Sequence, residues 1–456
     1  MSSIDALPRL LASDEPPPLV IVEGFLGGFG NILQGAFEKH LNTDCEGRPR
    51  KTIFASSVGP VSSLHDRACE LFYALMGGTG ELPVLDYGEQ HAIEHKHRRF
   101  GRNNHCGLYP LWSRERPLHF LGHSLGGPTI VKLQSLLRQG FFGIHLRPDM
   151  ILSVNALSAP FRGTPLTYVF GESTTNAPSV RQFSLGSLLT KAIHLVAYFS
   201  PLLPSISSFY LLSPLDMHIE ARHLTMHDIT LKDFFRQMWR SDWGESRDAA
   251  PYDVTFDAAD EREAEGTVLQ DGTFYRSYVA CMTQGQHEIQ AATLQSYLLW
   301  PGLHLTSRAI MSFDYPALHP PPSFVSLPVQ SHSTKPAKRR NNLNLDLEKA
   351  SGLWDLSASI DKLSEEYFVN DGVVPMFSQF HPHHCCQTRC RHYPPNGIQQ
   401  TDIPAVESGL WHVHTIPNAH HLSLLPAWNG TDGQRSFWED LGRWLRAIDA
   451  QVSHQP

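Results

Sequence analysis

Short apolar runs alternate along the chain with longer segments whose apolar residues recur at three- and four-residue spacing. Leu19-Val20-Ile21-Val22, Thr52-Ile53-Phe54-Ala55, Leu118-His119-Phe120-Leu121 and Met150-Ile151-Leu152-Ser153-Val154 read as buried strands, and Ser63 to Met76 and Pro128 to Arg138 as helices between them. Strands that are apolar on both faces belong in a sheet covered on both sides. The pattern therefore predicts the α/β class: a mostly parallel central sheet with helices on both faces. One domain over residues 1–456, carrying insertions, fits better than two independent domains.

Two stretches depart from this alternation. From Val180 to Leu212 the chain is rich in Leu, Ile, Val, Tyr and Phe, interrupted by serines and prolines. It reads either as a buried core helix or as a helical lid over an apolar site. Tyr315 to Asn342 is rich in Pro, Ser, Lys and Arg and predicts a disordered loop.

Composition narrows the partners. The 456 residues are 41% hydrophobic and 18% charged, with a net charge of −8, so there is no electrostatic case for nucleic acid. No apolar run approaches the roughly 20 residues of a transmembrane helix. Met1 to Pro18 lacks the basic-then-apolar order of a secretory signal, which gives a cytoplasmic expectation with secretion by another route left open. Seven cysteines, an odd number scattered over a long chain, suggest no disulfide framework. Nothing in the pattern bears on oligomeric state.

The strand Leu118–Leu121 runs into Gly122-His123-Ser124-Leu125-Gly126, and a helical run follows. Strand, sharp turn and helix with serine at the turn is the arrangement that lifts a hydroxyl above a sheet, within reach of a substrate carbonyl. A serine hydroxyl needs a histidine to take its proton and a carboxylate to orient that histidine. In the α/β-hydrolase layout both follow the serine in the chain. The best acid is Asp371, in an Asn-Asp-Gly turn after Tyr367-Phe368-Val369, which predicts a strand end; Asp361 is a weaker rival in a helix-like run. The histidine falls among several, with His420 and His421 together in a polar loop after Trp411–Ile416 and barely separable. The developing oxyanion needs two backbone N–H donors. Leu125 is one, and Phe25, in the glycine-rich Glu23–Gly28 loop, is the other.

These segments resemble the lipases of staphylococci and thermophilic Geobacillus, a family of α/β-hydrolases. The match rests on Val58-Gly59-Pro60-Val61-Ser62-Ser63, Asp66-Arg67-Ala68-Cys69-Glu70, Gly77-Gly78-Thr79, Asp86-Tyr87-Gly88, His91, His95, His97 and Arg99-Phe100-Gly101-Arg102. Weaker matches lie at Gly24-Phe25, the serine turn, Tyr252-Asp253, Asn370-Asp371-Gly372 and His421-Leu422, and Ala291 to Glu365 departs strongly. The resemblance implies an α/β-hydrolase fold and hydrolysis of acylglycerols, with Ser124, Asp371 and His421 as catalytic residues. It implies a lid within 180–212, with transient contact at a lipid interface. It also implies a structural zinc held by Asp66, His91, His97 and Asp253, in an insertion over 60–102. Calcium is not implied, because Ser423 stands where the family has a glutamate ligand. The family's histidine before the first oxyanion glycine is Glu23 here. That leaves two other readings: a non-catalytic lipid-binding or scaffold protein retaining the fold, and an acyltransferase using the same residues. A further group, His381, His383, His384, Cys385, Cys386, Cys390 and His392, offers a second metal cluster in which Cys386, Cys390 and His392 would bind zinc, but the irregular spacing favours an ordinary histidine-rich loop.

Overall fold

The computed structural model describes residues 15–27, 36–45, 47–55, 58–77, 107–202, 223–266, 269–284, 288–289, 300–326, 365–393, 406–425 and 430–453. Its centre is a seven-stranded sheet in the order β2-β1-β3-β4-β5-β9-β8, with every neighbouring pair parallel. The strands are β1 (Leu19–Val22), β2 (Thr52–Phe54), β3 (Leu118–His123), β4 (Ile151–Leu157), β5 (Phe274–Cys281), β8 (Cys390–Tyr393) and β9 (Trp411–Pro417). A small antiparallel pair, β6 (Thr283–Gln284) and β7 (Glu288–Ile289), stands apart.

The period of two along each strand sorts side chains into two cores. Val20, Val22, Phe120, Val154, Tyr275 and Val279 face one layer with the helices Leu64–Met76 and Gly126–Arg138. Leu19, Ile21, Leu121, Leu152, Tyr278 and Ala280 face the other with the helices Phe37–Leu41 and Asp432–Ser453. Every residue of β1, β3, β4 and β5 is buried, as expected of parallel strands covered on both sides. Each large apolar side chain so buried contributes roughly 1.5–3 kcal/mol.

Buried polar side chains of the sheet are paired to the C-terminal helix. His119 Nε2 meets Asp449 Oδ1 at 3.0 Å, Trp444 Nε1 donates to Asn155 Oδ1 at 3.0 Å, and Arg276 Nη2 donates to Asp440 Oδ2 at 2.8 Å. The helix Leu64–Met76 begins where the Ser63 hydroxyl caps the Asp66 amide and ends at Gly77, whose φ of 75° favours glycine.

Two expectations change. Residues 315–326 are ordered: they carry two short 3₁₀ turns and bury Tyr315 and Phe324 against Tyr367 and Phe377. Proline-rich composition masked two widely spaced aromatic anchors; residues 327–342 lie outside the described residues. Tyr367-Phe368-Val369 is no sheet strand: a 3₁₀ turn, Glu365–Tyr367, leads to a single bridge between Asn370 and Pro375. The segment 180–212 contains a helix, Leu185–Phe199, then a short turn to Leu202. Residues 203–212, Asp361, and most of the 60–102 insertion fall outside the described residues.

Candidate functional site

Ser124 follows the C-terminal end of β3, between β1 and β4. Its backbone sits in the left-handed region, at φ 52°, a conformation a serine adopts only when its surroundings enforce it. The glycines on either side show what enforces it. A Cβ at Gly126 would overlap the carbonyl oxygen of Val22 at the end of β1, and one at Gly122 would overlap the Gly127 amide and lie 2.6 Å from the Gly126 carbonyl oxygen. Helix and strand thus approach to backbone contact. Gly24 packs the same way: its Cβ would come within 2.6 Å of the Ser124 Cβ.

Asp371 and His421 meet on the same edge of the sheet. The acid loop docks on the end of β5, although about ninety residues separate them in the chain. The Met282 amide donates to the Asn370 carbonyl (2.9 Å), and the Asn370 amide to Thr283 Oγ1 (2.9 Å). The fully buried Asp371 carboxylate accepts the Val373 and Val374 amides on Oδ1, at 2.9 and 2.7 Å, and faces His421 Nδ1 with Oδ2 at 2.8 Å. The histidine loop follows β9, and the His421 amide donates to the Asp371 carbonyl at 2.9 Å. His420, the sequence rival, turns to Trp300, with ring centroids 5.4 Å apart. The carboxylate oxygen fixes the proton on Nδ1 of His421 and leaves Nε2 as its basic nitrogen.

His123 joins the two halves. Its Nε2 donates to the His421 carbonyl oxygen at 2.9 Å, and the two rings lie 4.8 Å apart. Burial, with His421 adding to it, pulls the His123 pKa down to about 3, so the ring is neutral. Among the described residues no hydrogen bond joins Ser124 Oγ to His421. The link between them runs through His123, which adjoins Ser124 in the chain and bonds the His421 carbonyl.

Phe25, Ser124 and Leu125 open onto an apolar cavity of about 170 Å³, walled further by Leu166, Leu189, Ile193 and Trp243. Neither the Phe25 nor the Leu125 amide donates a hydrogen bond to the backbone of the described residues. Arg67, whose role the sequence did not disclose, braces this corner from beneath. It is 1% exposed and donates to Thr129 Oγ1 (2.9 Å), the Gly59 carbonyl (2.6 Å) and the Glu23 carbonyl. Burial lowers its pKa to about 10, against the opposing pull of Glu70, Glu23 and Asp253, so it stays cationic at neutral pH.

Residues 16–145 match the family described as lipase-like, C-terminal domain. The lipase of Staphylococcus hyicus is 25% identical over 404 residues, 82% of this chain and 57% of that protein. Lipase 1 of Staphylococcus aureus is 31% identical over 198 residues, 38% of this chain and 27% of that protein. The chain is similar in sequence to the staphylococcal lipases. It spans little more than half the length of the first of these relatives and about a quarter of the second. Its fold matches the crystal structure of the S. hyicus lipase with a TM-score of 0.60 at 20% identity, over 97% of both chains. EstA from Clostridium botulinum matches at a TM-score of 0.54 and 22% identity, over 99% of this chain and 91% of that one. The fold is that of the α/β-hydrolases.

Of the four residues expected to hold zinc, Asp66 and Asp253 both stand at the N-terminal turn of the helix Leu64–Met76. Asp253 Oδ2 accepts the Leu64 amide at 2.7 Å, and burial raises its pKa to about 6 despite Arg262 nearby. His91 and His97 lie outside the described residues. In the histidine- and cysteine-rich segment, His381, Cys385, Cys390 and His392 bring one ligand atom each within 4.8 Å of all the others, a set that could hold a metal ion. Irregular spacing left the ligands unsorted and favoured Cys386 over Cys385, because two of the four come from a loop and two from a strand.

Proposed function

We propose that this chain is a serine carboxylic-ester hydrolase acting on lipid esters, most closely a triacylglycerol lipase. The observation that carries this reading is the Asp371–His421 pair, joined through His123 to the strained turn of Ser124, which lines an apolar cavity. In the proposed reaction His421 Nε2 takes the Ser124 proton as Oγ attacks the ester carbonyl. The Phe25 and Leu125 amides hold the oxyanion, and Asp371 stabilises the imidazolium. The imidazolium returns its proton to the leaving alcohol. Water, deprotonated by the same histidine, then attacks the acyl-enzyme, and collapse of the second tetrahedral intermediate frees the acid and restores the Ser124 hydroxyl.

The acyl chain enters the cavity beneath the helix Leu185–Phe199, whose Leu189 and Ile193 face inward. The other side of the same helix exposes Leu185, Leu188, Leu195 and Phe199, and nearby Leu231, Phe235 and Trp239 are also exposed. Patches of this kind meet lipid surfaces or partners, which supports the lid reading and contact with a lipid interface. The resemblance adds a structural zinc on Asp66, His91, His97 and Asp253. A buried carboxylate disfavoured as an anion, as Asp253 is, fits a cation's ligand. Four protein ligands would leave that ion no open position, so its contribution is to hold the segment in place.

Hydrolysis of a p-nitrophenyl ester, and labelling by a fluorophosphonate, test this reading. Ser124→Ala should abolish labelling and lower kcat by on the order of 10⁴-fold or more. An unlabelled wild-type protein would favour an inert lipid-binding scaffold. Ester products in the presence of alcohol would favour acyl transfer.

A further inference from the structure

The geometry points to a second, sulfur-containing metal site: His381, Cys385, Cys390 and His392 bind one structural zinc ion that clips the edge strand β8 to the segment carrying Asp371. This goes beyond the hydrolase reading and does not depend on it. The family's implied zinc set, two aspartates and two histidines, contains no sulfur.

The four residues come from two elements. His381 closes the short helix Met376–Phe380 and is fully buried, and Cys385 lies four residues on in the following loop. Cys390 and His392 are two apart on β8, so their side chains leave the same face of the strand. Cys385 Sγ lies 3.4 Å from His381 Nε2 and 3.5 Å from His392 Nε2. With Zn–S near 2.3 Å and Zn–N near 2.0–2.1 Å, a tetrahedral site puts sulfur and nitrogen about 3.6 Å apart. Both measured edges agree, and the remaining ligand pairs lie within 4.8 Å. The cluster is therefore near ligand geometry without backbone rearrangement.

The donor set selects the ion and its role. Two thiolates and two imidazoles favour zinc over the oxygen-seeking calcium and magnesium. Four protein ligands fill a tetrahedron and leave no position for water, so the site is structural. The neighbours are excluded by their own bonds and exposure. His384 is engaged by Arg162 Nη2, 2.7 Å from its Nδ1, and Cys386 is exposed.

The location gives the ion work to do. Among the described residues β8 is the sheet's edge and pairs only with β9, and Cys390–Tyr393 contains no buried residue. The helix at the other side of the clip is tied to the acid loop: Gln379 Nε2 donates to the Val374 carbonyl at 3.1 Å, and Gln379 Oε1 accepts the Ala280 amide at 2.9 Å. A zinc ion here would pin both ends of the span 381–392.

The test uses the full chain, purified without a histidine tag, with metal content measured directly and cobalt(II) exchanged for zinc. The wild type and Cys386→Ser should show thiolate-to-cobalt charge-transfer absorption and the intense visible bands of tetrahedral cobalt. A Cys385→Ser/Cys390→Ser double variant should lack the sulfur-to-cobalt charge-transfer band, keep only the visible bands of any sulfur-free site, and carry about one zinc fewer per chain. Should that variant fail to fold, wild-type protein titrated with an organomercurial should release about one zinc per chain to a colorimetric chelator. Absence of the sulfur–cobalt band in wild-type protein would overturn the assignment, as would its loss in Cys386→Ser, no zinc release on titration, or a Cys385–Cys390 disulfide in the metal-free product.

Discussion

The serine turn and the acid–base pair belong to one candidate site but are built in opposite ways. The turn is local: Gly122 to Gly127, six consecutive residues, set the conformation of Ser124 through contacts with themselves and with the end of β1. The pair is assembled from afar: Asp371 docks on Met282 and Thr283, and His421 arrives after β9. A local device fails when its backbone is crowded. A long-range device fails when one of its distant moorings is cut. The two therefore differ in what a substitution should do to stability and to turnover.

Crowding the turn has the largest expected effect. In Gly126→Ala the new methyl meets the Val22 carbonyl oxygen, a backbone atom that can yield only by moving β1. Overpacking of this kind costs about 3 kcal/mol, and displacement of the Ser124 hydroxyl by a fraction of an ångström should lower kcat by roughly 100-fold. Chemical denaturation and ester hydrolysis measured together check this. Wild-type stability with wild-type turnover would show that the turn is not held by that contact.

Cutting a mooring of the acid loop should act more on turnover than on binding. Thr283 is 1% exposed and its hydroxyl accepts the Asn370 amide. Thr283→Val removes that acceptor and leaves a buried N–H unsatisfied, at about 1–3 kcal/mol. Asp371 keeps its neighbours Val373 and Val374, and its loop keeps the Met282–Asn370 bond but loses the second of its two ties beyond β5. The expected result is a roughly tenfold lower kcat at unchanged KM. A rise in KM alone would place Thr283 in substrate binding and outside the support of Asp371.

The same contrast explains what was legible in the chain. β1, β3, β4 and the serine turn could be read directly, because continuous apolar runs and paired glycines carry their cause within a few residues. β5 went unseen, since Arg276 and Ser277 interrupt it. Their burial depends on Asp440 and on the Phe380 carbonyl, far away in sequence. Tyr367-Phe368-Val369 resembled a strand by residue type, yet its hydrogen-bonding partners make it a 3₁₀ turn and a bridge. Asp371 was identifiable as a turn aspartate, while local pattern could not choose between His420 and His421: the resemblance implied His421, and the carboxylate position that the fold supplies gives the physical reason. The Cys/His cluster was visible in the chain, but its four converging members were not, for the same reason: a four-residue loop spacing and a two-residue strand spacing come together only once β8 pairs with β9.

The smallest expected effect concerns the link between the two devices. His123, next to the serine, holds the His421 carbonyl and is neutral in the folded chain down to about pH 3, against an ordinary value of 6.5. Between those values the unfolded chain binds a proton at this position that the folded chain refuses. Stability therefore rises with pH across that window and falls as pH drops below about 6.5. Gln at 123 can still donate to the carbonyl but cannot titrate. His123→Gln should flatten the dependence of unfolding free energy on pH between 3 and 6.5 by about one proton, with little change near pH 8. An unaltered slope would mean that acid weakens the fold elsewhere, through other buried histidines such as His384 or His412, whose pKa values burial also lowers, to about 3 and about 4. The join between the local and long-range halves would then not be the acid-sensitive point.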